Sequence, residues 1–364
     1  MQLSFFDGTM PFKIDKPIRL VELFGGYGSQ ALALKYLGVP FEHWKMSEWA
    51  IKSIQAYKDL HAGEDCTDHS AGLTETEIKA WLNGRISSNY SEPLTETQIQ
   101  RLTESTVRTI YNNMQATQNL WSITALHGAD LDIRDTDKYC YIMTYSFPCQ
   151  DLSSAGKGAG MEKGSGTRSG LLWEVERLLT ECDNLPQVLL MENVPEIAGK
   201  KNMPQFAKWL AFLDELGYKT KWQVLNTKDF GIPQNRARCF AVSVLGDYLY
   251  EPPKGFPLKV RLKDVLQKQV DDKYYLKPET IQALNLHKER HQAQGHGFGW
   301  KPTDGGGMRQ LLRPKADIDP IATLLLSNQG KTVKKYTEVA STLMARDYKG
   351  FGNQGMTGVA EWKK

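Results

Sequence analysis

The sequence has few cysteines and no long apolar run. Five of its 364 residues are cysteine, an odd number, and no pair has C-x-x-C spacing. A disulfide framework and a zinc ribbon are therefore not expected, nor is any other metal site. No apolar run approaches the ~20 residues that span a bilayer, and the charged segment 1–18 lacks the apolar core of a secretory signal. We expect a cytoplasmic protein with reduced thiols and no membrane contact.

The sequence also lacks a strong charge of either sign. The formal net charge is +3, so no overall basic field indicates a nucleic-acid partner, although a local basic face is compatible with it. Hydrophobic residues make up 41% and charged residues 24%, as in a globular enzyme. The length favours two domains. A Pro-rich stretch at Glu251–Pro257 predicts a boundary between a catalytic domain, 1–255, and a smaller domain, 256–364.

Alternating strand and helix patterns predict an α/β fold with a doubly wound, mostly parallel sheet. Strands are predicted at 19–24, 41–46, 139–147, 187–191, 219–226 and 238–245, and helices at 29–37, 51–60, 171–180 and 204–216. The polar segment from 62 to about 127 interrupts the alternation, with weak helices at Glu75–Leu82 and Glu96–Asn113. We interpret it as an insertion on the rim of the sheet with no chemistry of its own. Replacing 75–113 with a linker should then preserve cofactor binding.

A glycine-rich turn at 24–28 follows the first strand and opens a helix. Glycines there bring backbone amides close to a ligand. Glu48 ends the second strand, where a carboxylate can hold ribose hydroxyls, and Trp49 offers a flat face for an adenine. A glycine turn beside a surface Glu-Trp pair explains the pattern equally well. A dinucleotide site would prefer G-x-G-x-x-G, but Ala31 replaces the last glycine, so a single-adenosine cofactor such as S-adenosylmethionine suits the turn better.

Cys149 is predicted at the carboxyl end of a parallel strand, where ligands bind. Glycines recur through 153–170, which is typical of a segment that closes over a substrate. A lone cysteine there is more often a small buried hydrophobe than a nucleophile. Glu192 leaves the next apolar strand, and desolvation favours the neutral, proton-donating form of a carboxyl. Arg236 and Arg238, two residues apart, point the same way on an extended backbone and suit a phosphate or carbonyl oxygen, or form a solvated pair.

Six motifs together resemble the cytosine-C5 DNA methyltransferase family of phage and bacterial type. They are L-F-G-G-Y-G at 23–28, S-E-W at 47–49, L-D-I at 131–133, F-P-C-Q-D-L-S at 147–153, M-E-N-V at 191–194 and Q-N-R-A-R at 234–238. The resemblance implies a Rossmann-like methyltransferase fold with an irregular target-recognition domain. It implies S-adenosylmethionine contacts from Phe24, Gly25, Gly26, Gly28, Glu48, Trp49, Asp132, Ile133, Pro148 and Leu171. It also implies a nucleophile, Cys149, helped by Glu192, Arg236 and Arg238, and DNA contacts from Gln150, Ser153 and Thr342.

The resemblance further implies double-stranded DNA as partner and base flipping, because a stacked cytosine is out of reach. The family's R-x-L-T-x-x-E segment is not found, and few residues follow the Gly-Asn pair at 352–353. We therefore expect an incomplete C-terminal domain, with a second polypeptide supplying the missing segment. Two alternatives stay open: methylation of cytosine in tRNA, and a truncated DNA-binding form with little turnover. The recognised DNA sequence and the link to a restriction enzyme do not follow from these residues.

Overall fold

The computed structural model describes residues 10–152 and 160–265, with short pieces at 286, 293, 324–326, 333–334, 340–341 and 358–360. The chain divides into two compact units. The first comprises 1–152, 159–223 and 239–252, and the second comprises 153–158, 224–238 and 253–364. The domain boundary expected near residue 255 stays a prediction.

The strands are β1 Met10–Pro11, β2 Ile18–Leu23, β3 Phe41–Ser47, β4 Cys140–Tyr145, β5 Val188–Asn193, β6 Tyr218–Asn226, β7 Gln234–Asn235, β8 Ala237–Leu245, β9 Tyr248–Leu249, β10 Leu324–Leu326, β11 Val333–Lys334, β12 Ala340–Ser341 and β13 Gly358–Ala360. The helices are α1 Ser29–Tyr36, α2 Ile51–His61, α3 Glu75–Leu82, α4 Glu96–Gln100, α5 Glu104–Ala116, α6 Leu172–Glu181, α7 Met203–Glu215 and α8 Leu262–Val265. The elements predicted outside the insertion agree with these bounds within one or two residues.

The central sheet has six strands in the order β3-β2-β4-β5-β8-β6. Strands β3, β2, β4 and β5 run parallel, whereas β8 is antiparallel to β5. Every residue of β2 and β4 is buried, as expected for strands covered by helices on both faces. The predicted α/β fold with a doubly wound, mostly parallel sheet is confirmed. Because parallel strands end at one edge, the segments that follow β2, β4 and β5 lie along that edge.

Helices α6 and α7 cover one face of the sheet. Their buried residues recur at helical spacing, as in Phe206, Trp209 and Leu213 of α7, and pack with the inward side chains of β4 and β5. Ala31 of α1 packs on the other face against Leu20 and Ile142. This apolar packing fixes the strand ends that carry the candidate site.

The insertion forms its own hydrophobic cluster rather than a polar rim. Residues of α3 and α5 enclose Ile54 of α2, which is 1% exposed. The helix predicted over Glu96–Asn113 divides into α4 and α5, because both Thr95 and Thr103 cap a helix start by accepting a backbone N–H. The insertion therefore packs against α2, the helix that follows β3.

The described pieces of the second unit include two small sheets. Strand β7 pairs in parallel with β12, and β10 pairs antiparallel with β11 and β13. Within this unit the backbone N–H of Phe256 donates to the carbonyl of Asp229 over 2.8 Å. No helix within the described part of the chain has both the length and the apolar character needed to cross a membrane.

Candidate functional site

The glycine turn, 24–28, connects β2 to α1 at the carboxyl edge of the sheet. Gly28 has φ +77 and lies against α2, where an added Cβ would come within 2.7 Å of Tyr57 Cε2. His61 Nε2 donates to the carbonyl of Tyr27 over 2.9 Å. At Gly26, φ +57, a Cβ would meet nothing closer than the Phe24 carbonyl oxygen at 4.0 Å. The turn is therefore packed on its α2 side and has open space at Gly26.

Glu48 closes the turn from β3. Its carboxylate accepts the backbone N–H of Gly26 over 3.0 Å and those of Trp49 and Ala50 over 2.8 Å each. Burial raises the pKa of Glu48, and the three N–H donors oppose that shift. A carboxylate has about four acceptor positions, so these contacts within the described chain leave room for a ligand hydroxyl. The structure thus places Glu48 beside the glycine turn, where it also shapes the backbone.

Asn119 contacts the candidate site residue Glu48 and was not predicted from the sequence. Its side chain is 5% exposed. Its Oδ1 accepts the N–H of Glu48 over 3.2 Å and that of Trp121 over 2.9 Å, while its Nδ2 donates to the Glu48 carbonyl over 2.9 Å. The insertion adds a further link, because the N–H of Ser87 donates to the Trp49 carbonyl over 2.7 Å. The insertion therefore contacts the backbone of both Glu48 and Trp49, and its expected dispensability for cofactor binding stays a prediction.

Asp132 is not brought to this turn. The carbonyl of Asp132 accepts Trp44 Nε1 over 3.1 Å, and its Oδ1 pairs with Arg134 Nε at 3.3 Å. Trp44 in turn stacks on Arg19, near the start of β2, which is the end of the strand away from the turn. Ile133 is buried in the core at 8% exposure. Two short 3-10 turns separate Asn119 from Asp132 along the chain. Of these two residues, the described contacts join only Asn119 to Glu48.

The thiol segment follows β4 and is held by side chains on both sides. Asn193, 2% exposed, donates through Nδ2 to the Phe147 carbonyl over 2.9 Å. Ser169 Oγ donates to the Pro148 carbonyl over 2.8 Å. Cys149 is half-buried and packs against the main hydrophobic core. The backbone that presents the thiol is thus fixed by hydrogen bonds from two later segments of the chain.

Glu192 lies at the same edge as this segment. Strands β4 and β5 are parallel neighbours, and Tyr145 lies opposite Met191. Glu192, the next residue of β5, therefore lies beside the start of the thiol segment. Glu192 also lies near Cys239 of β8, whose pKa is raised to about 11, first by burial and then by the charge of Glu192. The structure therefore brings Cys149 and Glu192 to neighbouring strand ends.

Other candidate residues are placed only in part. Gln150 is exposed and accepts Arg168 Nη1 over 2.6 Å. Leu171 immediately precedes α6 and packs against the core. Ser153 and Thr342 lie outside the described residues.

The two arginines belong to the second unit. The backbone N–H of Arg236 donates to Asn226 Oδ1 over 3.1 Å, and Arg238 Nη1 donates to the Ala237 carbonyl over 2.7 Å. Arg236 lies between β7 and β8, and Arg238 lies within β8. Their placement against Cys149 stays a prediction.

The chain is similar to known proteins over most of its length. Residues 95–351 match the family model described as C-5 cytosine-specific DNA methylase. Over 266 residues the chain is 38% identical to the orphan methyltransferase M.SssI of Spiroplasma monobiae, covering 71% of this chain and 67% of that protein. Over 269 residues it is 35% identical to the type II methyltransferase M2.ScrFI of Lactococcus lactis subsp. cremoris, covering 72% and 71%. A solved structure, the Dnmt2 methyltransferase of S. pombe, is 18% identical with a TM-score of 0.45, covering 72% of this chain and 64% of that one.

Proposed function

The chain belongs to the C-5 cytosine-specific DNA methylase family, and from this membership we propose that it transfers a methyl group from S-adenosylmethionine to carbon 5 of a flipped cytosine in double-stranded DNA. Cys149 is the nucleophile and Glu192 the proton donor. DNA methylation of this kind accompanies type II restriction-modification systems, to whose methyltransferases the chain is similar. The proposal names the substrate, the cofactor and the covalent step, which the family membership alone leaves open.

One observation carries the proposal. The glycine turn with Glu48 and the thiol segment with Glu192 follow neighbouring strands of one sheet, and Gln30 joins them by donating through Nε2 to Ser146 Oγ over 3.0 Å. Gln30 lies in the first turn of α1, and Ser146 precedes Cys149 by three residues. A cofactor at the turn would therefore lie beside the thiol, so that a cytosine bound to the thiol at carbon 6 could take the methyl group at carbon 5.

The turn suits S-adenosylmethionine. Gly26 has open space where a side chain would otherwise project, and Glu48 retains acceptor capacity for a ribose hydroxyl. We propose that Phe24, Glu48, Trp49 and Pro148 line this cofactor site, with Asn119 in place of Asp132. When bound, the cofactor supplies an electrophilic methyl group. Carbon 5 of an unactivated cytosine is too weak a nucleophile to attack it.

The chain's own residues would supply that activation. The Cys149 thiolate adds to carbon 6 of cytosine, forming a C–S bond and moving the electron pair of the 5,6 double bond to carbon 5. Glu192 donates a proton to ring N3 as that pair builds up. After methylation a base removes the carbon 5 proton, the 5,6 double bond reforms as the C–S bond to Cys149 breaks, and the N3 proton returns to the Glu192 carboxylate. The held backbone around Cys149 keeps the sulfur at a fixed place for both steps.

The remaining roles concern the DNA. We propose that Arg236 and Arg238 contact the flipped cytosine and its backbone, and that Gln150, Ser153 and Thr342 face the DNA. The family membership gives no support for a second polypeptide. The cytoplasmic location stays a prediction.

The test uses methyl-labelled S-adenosylmethionine with duplex DNA, with tRNA, and with duplex DNA containing 5-fluorocytosine. We expect label in duplex DNA, and a covalent complex with the fluorinated duplex, since fluorine cannot leave as a proton does. Cys149→Ala should abolish both while cofactor affinity measured by calorimetry stays unchanged. Cys182→Ala, a control at another half-buried thiol, should retain both. Label confined to tRNA, or transfer by Cys149→Ala, would contradict the proposal.

A further inference from the structure

Ser169 links the backbone on the two sides of the thiol segment. It is 0% exposed and follows Cys149 by twenty positions. Its hydroxyl donates to the Pro148 carbonyl over 2.8 Å and accepts the backbone N–H of Asp151 over 3.2 Å. One hydroxyl thus bridges the residues on either side of the Cys149–Gln150 pair. The bond to Pro148 satisfies no backbone group of α6, so helix capping does not account for it.

Asp151 in turn holds the backbone of the segment that contains Ser169. Its side chain is buried, and its Oδ2 accepts the N–H of Arg168 over 2.9 Å and that of Ser169 over 3.2 Å. Its own carbonyl accepts the N–H of Gly160 over 2.9 Å. Asp151 and Ser169 therefore bond reciprocally, each holding the backbone of the other. Charge-assisted bonds of this kind are about twice as strong as neutral ones.

We propose that Asp151 and Ser169 form a clamp that positions Cys149 for attack on cytosine; this rests on the proposed function of Cys149. The clamp fixes Pro148 before the thiol and Asp151 after it, so Cys149 is held between two anchored residues. It also anchors the chain at Gly160 and Arg168 to the same point. Asp151 and Ser169 touch no reacting atom and act as positioning residues.

The experiment measures the rate of covalent complex formation with 5-fluorocytosine duplex, together with kcat, KM for DNA and cofactor affinity. Ser169→Ala and Asp151→Ala should each lower the covalent rate and kcat by about tenfold or more, because a small misplacement of a reacting group costs rates of that order. KM and cofactor affinity should change little. Asp151→Asn keeps an oxygen at the carboxyl position and should restore the rate to within about threefold.

A matched control separates positioning from lost stability. Thr103→Ala removes a helix-capping hydroxyl in the insertion, costs about 1 kcal/mol of stability, and should leave the covalent rate unchanged. If Asp151→Ala does not fold, Ser169→Ala decides, since it only deletes a buried hydroxyl. A parental covalent rate in Ser169→Ala, or an Asp151→Asn variant as slow as Asp151→Ala, overturns the clamp while the proposed function stands. A parent chain that forms no covalent complex overturns both.

Discussion

The thiol segment and the glycine turn lie on the same edge of the sheet but are held differently. The partners that hold the thiol segment, Asp151, Ser169 and Asn193, all lie within the stretch that runs from β4 through α6 to β5. The glycine turn depends on Glu48 at the end of β3, and Glu48 depends in turn on Asn119, 71 positions further on. One end of the site is built from a single strand-helix-strand unit, and the other from distant parts of the chain.

This contrast bears on the role of the inserted segment. Insertions are usually tolerated at the surface because they leave the core and its backbone hydrogen bonds intact. Here the insertion donates Ser87 N–H to the Trp49 carbonyl and closes the cluster around Ile54. The glycine turn is therefore expected to respond to changes in the insertion, whereas the thiol segment is not.

Removing the insertion should have the largest effect on the glycine turn. Replacing Glu75–Asn113 with a short Gly/Ser linker removes Ser87 and uncovers Ile54, which is buried between α2, α3 and α5. We expect loss of S-adenosylmethionine binding, measured by calorimetry, together with a lower unfolding temperature. This reverses the expectation from the sequence, in which the segment was dispensable.

Two substitutions of Ser87 test the same contact more specifically. Ser87→Pro removes the N–H that bonds to the Trp49 carbonyl, whereas Ser87→Ala keeps it. Cofactor affinity should fall in the proline variant and be retained in the alanine variant. A soluble deletion variant that unfolds cooperatively and binds cofactor with parental affinity would show that the insertion only covers the sheet.

The same contrast explains what the sequence could predict. The strands, and the placement of Cys149 and Glu192 at neighbouring strand ends, could be predicted from local patterns. Parallel strand ends meet at one edge of a sheet whatever the details of packing. Asn119 could not be found in that way. No periodicity marks it, and its role arises from tertiary hydrogen bonds to Glu48. Asp132 was implied by the match of L-D-I to a family motif, and its described contacts are to Trp44 and Arg134 rather than to Glu48.

The glycine turn itself offers the next largest effect. Gly28→Ala places a Cβ against Tyr57 and His61 at a positive φ, and we expect a loss of about 3 kcal/mol or more in the free energy of unfolding. Gly26→Ala should cost about 1 kcal/mol in stability, because its Cβ meets open space, but it should weaken cofactor binding. Denaturant unfolding and calorimetry on both variants measure the contrast. Equal stability of the two variants would mean that α2 does not support the turn.

Asn119→Ala should have a smaller effect on the same end. It leaves the N–H and carbonyl of Glu48 and the N–H of Trp121 without their amide partner, which costs about 1–3 kcal/mol. We expect cofactor affinity to fall about tenfold, with little change in the reactivity of Cys149 toward iodoacetamide. Asn113→Ala removes an equally buried amide that bonds only to Gln55 among its described contacts, and should leave affinity unchanged. Similar affinities in both variants would place Asn119 outside the site.

The smallest expected effect concerns pH and a buried group behind the turn. Tyr57 donates to Glu22 Oε2 over 2.6 Å and accepts from His43 Nδ1 over 3.1 Å, with His61 and Lys35 nearby. Burial raises the pKa of Glu22 to about 7 from its usual 4.5 and lowers that of His43 to about 4 from 6.5. Folded Glu22 therefore keeps a proton that the unfolded chain loses between pH 4.5 and 7, so its contribution to stability falls as pH rises. The contribution of His43 rises with pH instead, because between about pH 4 and 6.5 the unfolded chain binds a proton at His43 that the folded chain does not.

The two slopes oppose each other between about pH 4.5 and 6.5 and should largely cancel in the parent chain. Glu22→Gln leaves only the histidine, so stability relative to the parent should rise with pH across that window, by up to about 1.4 kcal/mol per pH unit. His43→Asn should show the reverse slope, because Glu22 then acts alone, and the double variant should follow the parent. Urea unfolding at several pH values measures all four chains. A Glu22→Gln chain whose stability runs parallel to that of the parent would show that Glu22 keeps its ordinary charge behind the glycine turn.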